Sequence, residues 1–153
     1  MWVGVRRQRQ TGDNIMKTVL FVCIGNSCRS QMAEAFFNRY APQGYRAESA
    51  GTAPADVVSS NAIAVMQELG IDICGQRPKG LPEEMLKHAN RVILMGCQSD
   101  MCPAKYNRKL EEWDIEDPVG KDLDFFRKTR DHIQQKVLEL VDRFKAKNQE
   151  VSV

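Results

Sequence analysis

The stretch from Lys17 to Ala35 constrains this chain more than any other. Val19 to Val22 is an unbroken apolar, β-branched and aromatic run, which reads as a buried strand. From Ser30 to Tyr40, Met32, Ala35, Phe36 and Tyr40 recur with a helical period among helix-forming residues. Between them lies a short loop that begins at Cys23 and ends at Arg29. A strand–loop–helix turn aims the loop's N–H groups, and the positive end of the helix dipole, at one point. Gly25 and Asn26 are the residues that most easily take φ > 0. The backbone of Ile24, Gly25, Asn26, Ser27 and Cys28 can therefore turn its N–H groups inward as an anion nest. Arg29 adds a planar guanidinium able to grip two oxygens of a tetrahedral oxyanion. The same field favours the thiolate of Cys23 and makes it a nucleophile. A plainer reading of Cys-x5-Arg is a buried Cys at a strand end and an unrelated Arg capping a helix. The Gly-Asn pair, set between strand and helix, favours the nucleophile and clamp.

The 153 residues suit one domain. Residues 1–15 read as a disordered leader, 16–147 as a single catalytic domain and 148–153 as a frayed tail. The leader has Arg6, Arg7 and Arg9 but no apolar h-region, so it is not a secretory signal, and Met16 could be the functional start. No apolar run approaches the ~18 residues of a membrane span. The formal net charge of +2 carries little information, because the leader holds three Arg against Asp13 and the rest is balanced. A neutral body without a basic stripe argues against nucleic acid as a partner. Five cysteines, an odd number without a signal peptide, indicate a reducing, cytoplasmic setting and reactive thiols. Cys97 and Cys102 have no second close pair and no nearby His, which disfavours a closed zinc site; no metal or cofactor is expected.

Along the chain, a short strand is expected at Tyr45–Ala50 and a helix from Ser59 or Ser60 through Leu69, with Ala62, Val65, Met66 and Leu69 on one face and Gly70 ending it. Pro82 to Leu86 starts a short helix, Arg91–Met95 is a buried strand, and Trp113–Ile115 a short last one. Leu123 to Ala146 forms a long amphipathic helix with Phe126, Ile133, Val137, Leu140, Val141 and Phe144 inward. Alternating strands and helices imply an α/β fold with a parallel sheet. Ligands of such sheets bind beyond the carboxyl ends of the strands, where Cys23, the Cys97–Cys102 loop and Asp117 all fall. Cys74 reads as a small buried residue, and His88 and His132 as helix-surface residues.

The segment Cys23-Ile-Gly-Asn-Ser-Cys-Arg-Ser-Gln-Met-Ala-Glu34 resembles the active-site loop of thioredoxin-coupled arsenate reductases, which share the low-molecular-weight tyrosine phosphatase fold. The resemblance extends over roughly Lys17 to Phe144, with further matches at Tyr45–Gly51, Gly70–Ile73, Cys102-Pro103 and Trp113–Pro118. It implies a three-layer sandwich around four parallel strands in the order 2-1-3-4. It also implies Cys23 as nucleophile, Arg29 as oxyanion clamp, Ser30 as hydrogen-bond donor to the Cys23 thiolate, and Asp117 as general acid. Cys97 and Cys102 would carry oxidising equivalents away, a need that a phosphatase lacks. The family interval between these two cysteines is slightly longer than the four residues here. If that stretch were helical, their Cα atoms would lie about 8–9 Å apart, too far for a disulfide, so pairing requires rearrangement.

The implied activity is reduction of arsenate to arsenite by a monomer, with electrons from thioredoxin or a similar dithiol donor, and with phosphate or sulfate as competing oxyanions. The alternatives are a low-molecular-weight tyrosine phosphatase and a non-catalytic redox or metal-sensing module using Cys97 and Cys102. Phosphatases of the fold usually place tyrosines after Asp-Pro, where this chain has Val119-Gly120. Cys28 is open between a disulfide partner of Cys23 and a small packed side chain. Some family members hold potassium with residues matching Asn26, Glu34 and Ser49 plus an Asp; here Lys79 falls at that last position, where its ammonium could replace the ion or point to solvent.

Overall fold

Lys17–Cys23 forms the strand expected of it, β1, and lies inside a parallel sheet rather than at its edge. The computed structural model describes residues 16–96 and 102–152, with side chains up to 149. Its order of elements is β1, α1 (Arg29–Tyr40), β2 (Tyr45–Gly51), α2 (Ser60–Gln67), α3 (Glu83–His88), β3 (Arg91–Met95), a 3₁₀ helix at Ala104–Lys109, β4 (Leu110–Trp113) and α4 (Leu123–Ser152). The four strands are parallel in the order β2-β1-β3-β4.

The continuous apolar run of β1 follows from burial on both faces, and successive side chains divide between them. Val19, Phe21 and Cys23, with Ile93 and Met95 of β3, face a layer built by α1, α2 and α4. Leu20 and Val22, with Val92 and Leu94, face a smaller layer containing Leu86, Ala89, Cys102 and Tyr106. Phe21 meets both Phe37 of α1 and Trp113 of β4, with ring centroids 6.1 and 5.7 Å apart. Truncating such a fully buried ring to alanine costs about 3–5 kcal/mol, so this face anchors β1 and hence the loop that follows. All six inward residues read from the pattern of α4 are buried, and Phe144 stacks on Tyr45 at 4.6 Å.

Several local expectations are corrected. The last strand is Leu110–Trp113 rather than Trp113–Ile115: Trp113 pairs with Met95 as the final rung, and the carbonyl of Ile115 turns to Arg29 instead of the ladder. Leu69 is exposed because α2 ends at Gln67 and the chain turns before Gly70. Cys74 is exposed, in a turn where its N–H donates to the Asp72 carboxylate. Helix α4 runs to Ser152, past Ala146; its buried stripe ends at Phe144 and helix-favouring polar residues carry on the backbone. Gly25 stays at φ < 0, and Asn26 alone among the described non-glycine residues has φ > 0, at 50°.

Candidate active site

The carboxyl ends of β1, β2, β3 and β4, at Cys23, Gly51, Met95 and Trp113, lie on one edge of the sheet. There the chain from Cys23 to Arg29 curls into a loop whose carbonyls are tied outward. Cys23, Ile24, Gly25 and Ser27 accept from the N–H groups of Thr52, Ala53, Ala55 and Ser59 at 2.8–3.1 Å. The Asn26 carbonyl accepts from Gln31 Nε2 at 3.0 Å and that of Cys28 from Met32 N–H. With the carbonyls engaged, the N–H edge of the loop is left for an anion. Helix α1 begins at Arg29 without a side-chain cap, so its N-terminal dipole adds to the same point. Ser59 fixes the far side, because its own Oγ caps α2 by accepting from Ala62 N–H.

Gly51 is required by this arrangement. It pairs with Cys23 across the ladder, and a β-carbon there would stand 2.7 Å from the Ile24 carbonyl and 2.9 Å from Asn26 N. Any other residue would push the loop off β2.

The polar groups beneath the loop set a direction for one proton. Asn26, Ser30 and Gln31 are fully buried. Asn26 Oδ1 accepts from Lys79 N–H at 2.8 Å and Gln31 Nε2 at 2.9 Å, so its Nδ2 faces Ser30 and donates to that hydroxyl at 2.6 Å. Ser30 Oγ lies 2.9 Å from Cys23 Sγ, within reach to donate its own proton to a thiolate there. Asn26 N–H lies 3.3 Å from the same sulfur. The Ser30 hydroxyl and the Asn26 N–H thus converge on one sulfur. Gln31 was given no role in the sequence reading; its signal there was only its place in Ser-Gln-Met-Ala-Glu.

Arg29 is 3% exposed, with Nη1 donating to the Ile115 carbonyl at 3.0 Å and Nη2 3.5 Å from Asp117 Oδ2. Asp117 is half exposed, and its other oxygen accepts from Val119 N–H at 3.1 Å. Cys23, Ile24, Gly25, Ser27, Cys28, Arg29, Asp117, Ala55 and Val119 line one cavity of about 230 Å³. A thiol, the N–H edge of a loop, a guanidinium and an exposed carboxyl therefore share a space with room for a small tetrahedral anion. A larger open depression beside Tyr106, lined by Glu83, Glu84, Lys87 and Lys105, holds no cysteine among its described residues.

The remaining thiols are dispersed. Burial pushes the Cys28 thiol up, which favours its neutral form. Cys102 is buried among Leu94, Leu86 and Tyr106, outside the cavity, and burial raises its thiol too. Cys97 lies outside the described residues. Lys79 holds Asn26 through its backbone and brings its Nζ to 3.8 Å from Glu34, which also accepts from Ser49. An ammonium beside Glu34 does not fit a potassium ion in the same place. Among the described residues no His, Cys, Asp and Glu cluster could hold a metal, and no helix is long and apolar enough to cross a membrane.

The family model for low molecular weight phosphotyrosine protein phosphatase matches residues 18–150. The chain belongs to this family. Within it, arsenate reductase 1 of Bacillus cereus is 38% identical over 123 residues, 79% of this chain and 91% of that one. An arsenate reductase solved in a phosphate-binding state superposes with a TM-score of 0.75 at 35% identity, covering 84% of this chain and 98% of the other. A low molecular weight protein tyrosine phosphatase from T. tengcongensis gives 0.77 at 34% identity, covering 83% and 99%. A thioredoxin-dependent arsenate reductase of Corynebacterium glutamicum gives 0.75 at 26% identity, covering 94% and 73%. The four-stranded order and the flanking helices match these neighbours, as the sequence resemblance implied.

Proposed function

We propose that this protein reduces arsenate to arsenite, using its own cysteines and an external dithiol donor. The Cys23 thiolate attacks arsenic and displaces one oxygen as water, with Asp117 supplying the proton, because hydroxide leaves poorly. Arg29 and the loop N–H groups hold the remaining oxygens. The Cys97 thiolate then attacks the Cys23 sulfur. The S–As bond breaks with its electron pair going to arsenic, so arsenite departs and a Cys23–Cys97 disulfide remains. Cys102 attacks Cys97, returns Cys23 as a thiolate and forms Cys97–Cys102, which a dithiol donor reduces. The named relatives support this reading, and the thioredoxin-dependent neighbour supports thioredoxin as donor. A reducing cytoplasm is the setting this chemistry needs, and a single copy supplies every group named.

The observation that carries the reading is the cavity rim. Ile24, Ala55 and Val119 form it, and none of the described lining residues is aromatic. Such a rim suits a bare oxyanion better than an aryl ester, which gains from ring contacts. The second reading is phosphate monoester hydrolysis, favoured by the structural match to the tyrosine phosphatase, since Cys23, Arg29 and Asp117 suffice for it. Arsenite production with thioredoxin and its reductase, measured against hydrolysis of an aryl phosphate, separates the two. Turnover of arsenate with only slow ester hydrolysis is expected; fast ester hydrolysis without arsenite production would establish the second reading.

A further inference from the structure

We infer that Gly96 is a positioning residue for oxyanion binding, because its missing side chain forms the seat in which the Arg29 guanidinium lies. Gly96 follows the last residue of β3 and is the neighbour of Cys97 in the chain. A β-carbon at this position would overlap Arg29 Nη1 outright and would stand 3.1 Å from Cζ and 3.5 Å from Nη2. The guanidinium cannot retreat cheaply. It is buried at 3% exposure, its Nη1 is tied to the Ile115 carbonyl at 3.0 Å, and its Nη2 faces Asp117 at 3.5 Å. Two segments distant in sequence thus enclose one planar group: the end of β3, and the stretch after β4 that carries the Ile115 carbonyl and Asp117. Only the first does so by having no side chain.

Gly96 also has φ +77°, a conformation that L residues rarely adopt. That alone would make a glycine favourable here, so the two reasons have to be separated. Backbone strain acts whatever residue occupies position 29. Displacement of the clamp acts only through Arg29, so it disappears when the guanidinium is removed. The residue that seats the clamp is also the one from which the chain proceeds to Cys97. In the proposed reductase, the seat of the oxyanion clamp and the electron-donating thiol are therefore adjacent in the backbone. The inference rests on Arg29 as the oxyanion clamp, and on no particular outcome between reduction and hydrolysis.

A double-mutant cycle on phosphate binding tests it. Inorganic phosphate is titrated calorimetrically into the reduced wild-type chain, Gly96→Ala, Arg29→Ala and the double variant. Gly96→Ala should weaken phosphate binding at least about tenfold, the size of a lost charge-assisted contact, and should change binding less than twofold when Arg29 is already Ala. Loss of the same size in both backgrounds would show that strain, not the clamp, is responsible, and would overturn the inference. Unchanged binding in Gly96→Ala would overturn it as well. If Arg29→Ala itself binds phosphate like wild type, the clamp assignment fails instead, and the two failures are thereby distinct. Should Gly96→Ala not fold, circular dichroism and thermal melting of the double variant decide. Recovery of folding on removing the guanidinium supports the seat, and equal failure of both variants contradicts it.

Discussion

The loop from Cys23 to Arg29 and the segment around Asp117 face each other across one cavity, and they are held in opposite ways. The carbonyls of the first are bonded outward, its supporting side chains Asn26, Ser30 and Gln31 are fully buried, and its exit is fixed by Gly51 and by α2. The second presents a carboxylate that is 48% exposed, with one backbone hydrogen bond and a 3.5 Å approach to Arg29. An ion pair of that exposure contributes about 0–1 kcal/mol, far less than the loop's packed network. The proposed anion-binding loop is therefore built into the core, whereas the proposed acid lies on a lightly held strip of chain. A binding site must be preorganised to gain from its N–H groups, but a proton donor only has to reach the leaving oxygen at the right moment.

The largest effects should come from the rigid side. Cys23→Ser should abolish both arsenate reduction and ester hydrolysis, because a hydroxyl does not ionise where a thiol does. Arg29→Lys should fail nearly as badly, since a point charge cannot reproduce a bidentate grip. Steady-state assays of either variant at a substantial fraction of wild-type rate would erase the contrast drawn here. On the lightly held side, Asp117→Asn should slow the first chemical step by roughly 10²–10⁴-fold while leaving phosphate affinity within a few-fold. If rapid-mixing experiments show a wild-type rate, Asp114 or Glu116 would have to be the acid.

A smaller, pH-dependent effect belongs to Cys102. Burial favours its neutral thiol, so its thiolate fraction at neutral pH is below that of an ordinary cysteine, whose reference value is about 8.5. The step in which Cys102 attacks Cys97 should speed up as pH rises through and beyond that range, tracked by quenched-flow alkylation of released Cys23. A rate that is flat or falls from pH 7 to 9 would show that Cys102 is not the attacking group. The smallest effect concerns cations. With the Lys79 ammonium beside Glu34, rates in potassium and sodium buffers of equal ionic strength should agree within about twofold. Several-fold stimulation by potassium would mean that the ammonium does not fill that role.

The same contrast explains what could be read from the sequence. The proposed nucleophile, nest and clamp sit within seven consecutive residues, between a strand and a helix whose apolar periods are plain, so local reasoning can point to them. The order of strands came from the resemblance, the parallel sheet from the rules for crossovers, and both match the structure. Gly51, Gly96, Gln31 and the Ile115 carbonyl act through contacts with residues distant in sequence or through buried amides, and no local pattern marks them. Of the two residues able to take φ > 0 in the loop, Asn26, fixed by Gln31 and Lys79, makes that turn and Gly25 does not. Cys74 was misplaced because a cysteine after Ile73 looks apolar, whereas the Asp72 carboxylate holds it in an exposed turn.

The central claim is that two further cysteines supply the electrons that reduce arsenate, and a single-turnover experiment on two variants tests it most directly. Reduced Cys97→Ser and Cys102→Ser chains are each mixed with arsenate without a recycling system. Arsenite is quantified, and disulfides are mapped by peptide mass. Cys97→Ser should release almost no arsenite while keeping any ester hydrolysis. Cys102→Ser should release about one equivalent and stall with Cys23 bonded to Cys97. Sustained multiple turnover by Cys97→Ser once thioredoxin and its reductase are added would contradict the account and leave a phosphatase-like enzyme with incidental cysteines.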